Sequence, residues 1–320
     1  ALLVLLALLV AVPAAVAAPG PALSVLVHHP FPDPADPLGA PFPLAAGDAG
    51  FDAFVTRYAA YDVDGDGFAY PSVVVDGVVP IEGLPDGDRP FASTQAAYTA
   101  AVDQQEEVEA AVTLAVATEP VGDQLGVEIR VAPLAALPDE RLRLWVALAE
   151  DHVHYEPPPA LSNGVTDHRF TVRAVIDLGR LDLAAGGAVE RNTTFAMDEA
   201  WDRDQLFVTA WVQQEPSHGL RFQAREVVQA TTHPALQVEP TVQETKGVLL
   251  ELLSAAWCDP CLFGDRVVDE LAEERGHAAF EPTAAGPATT YWRAPEQPLV
   301  VVGAGLVGAF LLGRRWRPSS

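Results

Sequence analysis

Apolar positions in this chain follow two rhythms, and the change between them divides it. Ser24-Val25-Leu26-Val27, followed by His28 and His29, is a short apolar run of the kind a buried strand carries, and it breaks into a proline-rich loop over 30–43. Residues 52–61 set Phe54, Val55, Tyr58 and Tyr61 on one side with Phe51, which predicts a helix. Residues 70–81 read as strand, Asp76-Gly77 turn, strand. Residues 94–107, well supplied with Ala and Gln, read as a second helix.

From about 108 to 233 helical periodicity disappears. Seven short β-rich runs follow one another, at 108–117, 124–132, 142–150, 168–178, 188–195, 205–214 and 225–230. Turn-rich segments such as Pro157-Pro158-Pro159 and Ser162-Asn163-Gly164 separate them, which is the arithmetic of an antiparallel β-sandwich. Residues 247–253 are then too apolar for a half-exposed strand and suit a central one. Beyond Ser254-Ala255-Ala256-Trp257-Cys258-Asp259-Pro260-Cys261, a helix is predicted with Phe263, Val267, Val268 and Leu271 inward. Asp265, Arg266, Asp269, Glu270, Glu273 and Glu274 are expected on its solvent face, and Gly276 at its end.

Charge and the two termini narrow the setting. Lys plus Arg number 19 against 44 Asp plus Glu, a net charge of −25, and Lys246 is the single lysine, so no basic stripe exists for nucleic acid. Residues 1–12 are almost wholly Ala, Leu and Val, and small residues follow through Ala18, as in a secretory signal. With neither Met nor a basic start, the sequence is expected to begin inside that signal. Residues 299–313 form an uncharged apolar run between Pro298 and Arg314-Arg315-Trp316-Arg317, which suits a single-pass anchor with a basic cytoplasmic tail over 314–320. The expected location is therefore the extracytoplasmic face of the cell membrane, the folded body tethered by a linker over 277–298. The order of acidic-proline segment, apolar run and arginines also resembles C-terminal sorting tails that are cut by a membrane protease.

Cys258 and Cys261 are the only cysteines, which excludes a multi-disulfide framework and a four-cysteine zinc site. Two cysteines separated by two residues at a helix start present the first thiol outward and the second inward, and the helix N-terminus favours a thiolate there. Buried strand, Trp257, Cys258-Asp259-Pro260-Cys261 and amphipathic helix together resemble the thioredoxin superfamily. The resemblance implies Cys258 as nucleophile, Cys261 as the resolver of a mixed disulfide, and Trp257, Asp259 and Pro260 as support, with no cofactor and no metal. It also implies a later half containing a cis proline against the disulfide. No such half follows Gly276, but residues 25–77 look like it, with Tyr70-Pro71 in the cis-proline position. The order resembles a circular permutation: residues 19–107 as the second half, 108–233 as an inserted β domain and 234–276 as the cysteine half. Residues 144–151, 168–174, 209–213 and 227–230 resemble the β domain of an outer-membrane-protein family that couples such a module to a thioredoxin-like domain.

One position departs from the pattern. Six residues before the first cysteine, where thioredoxins commonly bury an acid, stands Leu252, and strand alternation turns the neighbouring Glu251 to the other face. Weaker signals stay open. Asp62, Asp64 and Asp66 match the opening of a calcium loop but Val73 occupies its twelfth place. His152 and His154 are two apart beside Asp151 and Glu156, and either His28 or His29 suits a proton relay. Asn192-Thr193-Thr194 is a glycosylation sequon. The expected fold is α/β plus all-β, a thioredoxin-like domain built from both ends of the chain around an antiparallel β-sandwich. The expected function is an exported thiol-disulfide oxidoreductase acting on protein thiol or disulfide substrates. The alternative is a surface binding module in which the disulfide is a staple. Asp259 beside Cys258 opposes thiolate formation and is expected to bias the couple toward reductant behaviour.

Overall fold

The alternating runs of the chain's middle become long strands, and in a computed structural model they are not a separate body. The described residues are 18–28, 70–84, 91–134, 141–154, 164–183, 187–215, 226–255 and 258–277. They belong to one unit, Ala1–Ala288, while the second, Thr289–Ser320, lies wholly outside them. The expected signal apart from its last residue, Ala18, the expected helix at 52–61, Asp62, Asp64, Asp66, His29, Trp257, the expected linker from 278, the apolar run at 299–313 and the basic residues after it also lie outside them. Among the described residues no helix is long and apolar enough to cross a membrane.

In chain order the elements are β1 (Ala18–Pro19), β2 (Leu23–His28), β3 (Ser72–Val75), β4 (Val79–Glu82), α1 (Phe91–Glu106), β5 (Val112–Val121) and β6 (Gln124–Pro133). There follow β7 (Leu142–Glu150), β8 (Val153–His154), β9 (Asp167–His168), β10 (Thr171–Leu181), β11 (Val189–Ala196) and β12 (Leu206–Gln214). The chain continues with β13 (Val227–Pro234), β14 (Thr241–Gln243), β15 (Val248–Leu253) and α2 (Cys261–Glu274). β5, β6 and β11 form a five-stranded sheet with β14 and β1, in the order β1-β14-β5-β6-β11. The other four strands of the expected sandwich, β7, β10, β12 and β13, run on into a mixed eight-stranded sheet, β13-β12-β7-β10-β2-β15-β3-β4. The second sheet of the expected sandwich is thus shared with the strands from both ends of the chain. The sequence signal was in β7 and β12, whose runs Leu-Trp-Val-Ala-Leu-Ala and Leu-Phe-Val-Thr-Ala-Trp-Val are apolar on both faces and buried throughout.

Two cores follow. Leu144, Val146, Leu148, Val208, Ala210 and Val212 pack with Leu114, Val116, Ile129 and Val131 to join the two sheets. The opposite side chains, Trp145, Ala147, Phe207 and Trp211, belong to a second core with β2, β3, β15 and both helices. The eight-stranded sheet curls. β13 and β15 are far apart in its order, yet the Ala230 N–H donates to the Gly247 carbonyl (3.2 Å) and the Gly247 N–H to Gln229 Oε1 (2.7 Å). A Cβ on Gly247 would stand 2.1 Å from the Ala230 carbonyl oxygen, so only glycine allows this approach.

The β2–β10 junction is thin. A single register pair, Val27 with Thr171, and a bond from the Val27 N–H to the Phe170 carbonyl (2.9 Å) connect the strands before they splay. His277, just past α2, reaches the free backbone there, its Nδ1 3.2 Å from both the Val25 N–H and the Leu23 carbonyl, with its ring edge-on to Phe170 and Phe207. Burial holds it neutral, its pKa lowered to about 4.

A second clamp lies at the β3–β4 turn. Asp76, at φ 47°, bonds through Oδ1 to the Leu249 N–H (2.7 Å) and through its carbonyl to the Val227 N–H (2.8 Å). Its Oδ2 forms an ion pair with Lys246 Nζ at 2.6 Å, and both side chains are buried. The chain's one lysine therefore joins β3, β13 and β15 from inside.

Candidate functional site

β15 is apolar enough to run through the middle of the sheet, parallel to β2 from Leu23↔Val248 to His28↔Leu253 and antiparallel to β3. At its end the chain turns into α2 through bonds from the Cys258 N–H to the Ala255 carbonyl (3.0 Å) and the Cys261 N–H to the Cys258 carbonyl (2.9 Å). Pro260 stands at the helix entry, where its missing N–H costs nothing, and Asp259 beside it is exposed. Cys258 and Cys261 are joined as a disulfide, with Cα atoms 5.3 Å apart. The expected difference between them is small: Cys258 keeps 6% of its surface and Cys261 none.

Tyr70 and Pro71 arrive at this site from almost two hundred residues upstream. The Tyr70-Pro71 peptide is cis, Tyr70 packs on Ala255, Cys258 and Cys261, and burial pushes its hydroxyl up to about 12. Pro71 lies against the first turn of α2, where a Cβ on Gly264 would meet its Cβ at 3.1 Å and its Cγ at 3.3 Å. Glycine at 264 thus sets how closely the Pro71 segment approaches the cysteine helix. Of the residues singled out from sequence, Cys258, Cys261, Tyr70 and Pro71 share one locality; Asp259 and Pro260 form the turn within it.

Leu252 points to α2, and its Cδ1 would lie 3.5 Å from the same Cβ on Gly264. Glu251 turns to the other side, as alternation requires, and its Oε1 meets His28 Nε2 at 3.3 Å. His28 is thereby occupied away from the helix face that Leu252 marks. His152 sits at a left-handed φ of 55° and bonds through Nδ1 to Asp167 (2.9 Å). Among the described residues no cluster of three or more His, Cys, Asp or Glu is arranged to hold a metal ion.

Sequence reasoning misplaced two acids. Asp265 and Asp269, expected on the solvent face of α2, line a small pocket with Val27, Asp167, His168 and Arg169. Burial raises both carboxyls to about 7; the charge of Asp269 adds to the shift of Asp265, and Arg169 opposes that of Asp269. Their spacing was a usable signal, since 261, 265 and 269 fall on one stripe of a helix. Between β9 and β10, Arg169 is held by Asp151 (3.0 and 3.1 Å) and reaches Glu273 of α2 (3.2 Å).

No family model matches the chain, and no curated protein matches it. Among solved structures it is similar to HBP35 of Porphyromonas gingivalis, at 14% identity and a TM-score of 0.45 over 57% of this chain and 58% of that one. It is similar also to a domain of the outer membrane lipoprotein Omp28 from Porphyromonas gingivalis, at 15% identity and a TM-score of 0.24, over 38% of this chain and 86% of that one. A third is a penta-heme cytochrome c552 from Thermochromatium tepidum, at 8% identity and a TM-score of 0.23, over 41% and 40% of the two chains. The chain thus spans little more than half the length of HBP35.

Proposed function

We propose that this protein is a thiol-disulfide oxidoreductase of thioredoxin-like design, exported and held at the extracytoplasmic face of the membrane by its C-terminal apolar run. Cys258 attacks a protein disulfide, or accepts attack by a protein thiol, and Cys261 resolves the mixed disulfide. The observation that carries the reading is the convergence of Tyr70 and Pro71 on the cysteine pair. Two segments almost two hundred residues apart meet at the only sulfur atoms available for exchange. The strand order β2-β15-β3-β4, with α1 and α2 packed together through Arg275–Asp103 (2.5 Å) and Gln95–Glu270 (3.2 Å), supports a permuted thioredoxin-like body. The five-stranded sheet and the long strands facing it then position a partner.

The near-complete burial of both cysteines favours a second reading, a binding module stapled by an inert disulfide. Reactivity separates the two. A redox site is reduced by millimolar dithiothreitol in the native state, and Cys261→Ser accumulates mixed disulfides on Cys258. A staple resists the dithiol until the protein unfolds and traps nothing.

A further inference from the structure

Thiol-disulfide exchange moves a proton as well as electrons, and the strand position facing α2 cannot take it because it is Leu252. On the helix itself, one turn beyond Cys261, stands Asp265. An i,i+4 pair brings the two Cβ atoms to about 5–6 Å on one helical face. Asp265 Oδ2 is closed off from solvent and accepts no hydrogen bond among the described residues. The Ser254 hydroxyl at the end of β15 is near enough to favour the charged form slightly but not placed for a proper bond. A buried carboxyl oxygen left without a donor destabilises a fold, and such a group calls for an explanation.

Resting on the redox reading above, we propose that Asp265 holds the proton of the resolving step. The Cys261 S–H bond breaks and its proton passes to the Asp265 carboxylate. The Cys261 sulfur bonds to Cys258 Sγ, and the bond between Cys258 and the substrate sulfur breaks, its electron pair leaving on the substrate thiolate. The protein dithiol is oxidised and the substrate disulfide reduced to two thiols. The acid then returns its proton through the pocket shared with Asp269, or to the departing thiolate. The groups that tune it are Asp269 on α2, Ser254 after β15, Tyr98 on α1, and Asp167, His168 and Arg169 on the β9–β10 side. Its raised pKa of about 7 lets it accept and release a proton near neutrality.

The test uses the full chain, reduced, with oxidised glutathione as the probe. Quenched samples are resolved by mass into dithiol, glutathione adduct and internal disulfide. The first release of glutathione reports attack by Cys258 and the second reports resolution by Cys261. Asp265→Asn is expected to slow the second step at least about tenfold at pH 7 and leave the first within about twofold. The parent's second step should show an inflection near pH 7 that the variant loses, and Asp265→Glu should restore part of the rate. Equal slowing of both steps, no slowing of the second, or no rescue by Glu would overturn the proposal while leaving the redox reading intact. A parent that forms no glutathione adduct would remove the redox reading, and this inference with it.

Discussion

The two ends of the eight-stranded sheet are built on different terms. At one end β12 pairs with β7 over nine residues, Leu206↔Glu150 through Gln214↔Leu142, and β13 and β10 flank them in antiparallel order with few interruptions. At the other, β15 pairs with β2 over six residues and with β3 over four, and the strands come from opposite ends of the chain. The ends are joined by the single β10–β2 register pair, the close β13–β15 approach at Ala230 and Gly247, a shared apolar core and two buried polar clamps, Asp76 with Lys246 and His277 on the open edge of β2. Long local pairing makes the first end cooperative by itself, whereas the cysteine end depends on a few particular groups. Sites that must open and exchange partners are drawn from such less stable regions.

Breaking the lysine clamp has the largest expected effect. Lys246→Met leaves Asp76 buried without its cation and should cost about 3–5 kcal/mol at pH 8, read by urea unfolding. Adding Asp76→Asn should recover most of the loss. A single-variant cost below about 1 kcal/mol would mean that the pair does not hold the ends together. Gly264→Val comes next. Its branched side chain must displace Pro71, at a cost of about 1–3 kcal/mol for overpacking. The loss should appear in hydrogen exchange of β3 and β15 and leave β7 and β12 protected. Uniform loss of protection across both ends would contradict the comparison.

The same contrast explains what could be read from sequence. The seven β runs were legible because period-two patterning and turn residues are local; β6, β7 and β12 match their expected spans within a residue, while β5 begins late, at Val112. The strand-turn-strand at 70–81 was legible from its apolar run and its Asp76-Gly77 turn, whereas its meeting with 247–253 in one sheet followed only from the permuted order that the resemblance implied. What stayed hidden depends on three-dimensional closure. No local pattern says that the sandwich's second sheet continues into β2, that Lys246 turns inward to Asp76, or that His277 fills the β2 edge. Asp265 and Asp269 were assigned to solvent because the helix was given one apolar face; the strands beyond β2 supply a second wall.

A smaller, pH-dependent effect sharpens the picture of the cysteine helix. The Asp265 carboxyl is raised in the folded state above its unfolded value, so its contribution is fully present below about pH 4 and is lost as pH rises through about 7. Between pH 6 and 8 the parent should lose about 1 kcal/mol more than Asp265→Asn, measured by unfolding at each pH. Parallel profiles would mean that the carboxyl is not buried in solution. Smallest is Asp259→Asn. Removing an exposed charge next to Cys258 should raise the reduction potential by about 10–20 mV against glutathione, and an unchanged or lower value would dispose of the electrostatic bias toward reductant behaviour.

The central claim, that Cys258 and Cys261 exchange rather than staple, is tested most directly by reducing the native full chain with millimolar dithiothreitol and alkylating with iodoacetamide before any denaturant is added. Reduction is expected within minutes while the far-ultraviolet circular dichroism of the sheets is unchanged, with one sulfur, Cys258, alkylated first. A disulfide that stays closed until urea unfolds the protein, or two sulfurs that become reactive only together, would contradict it.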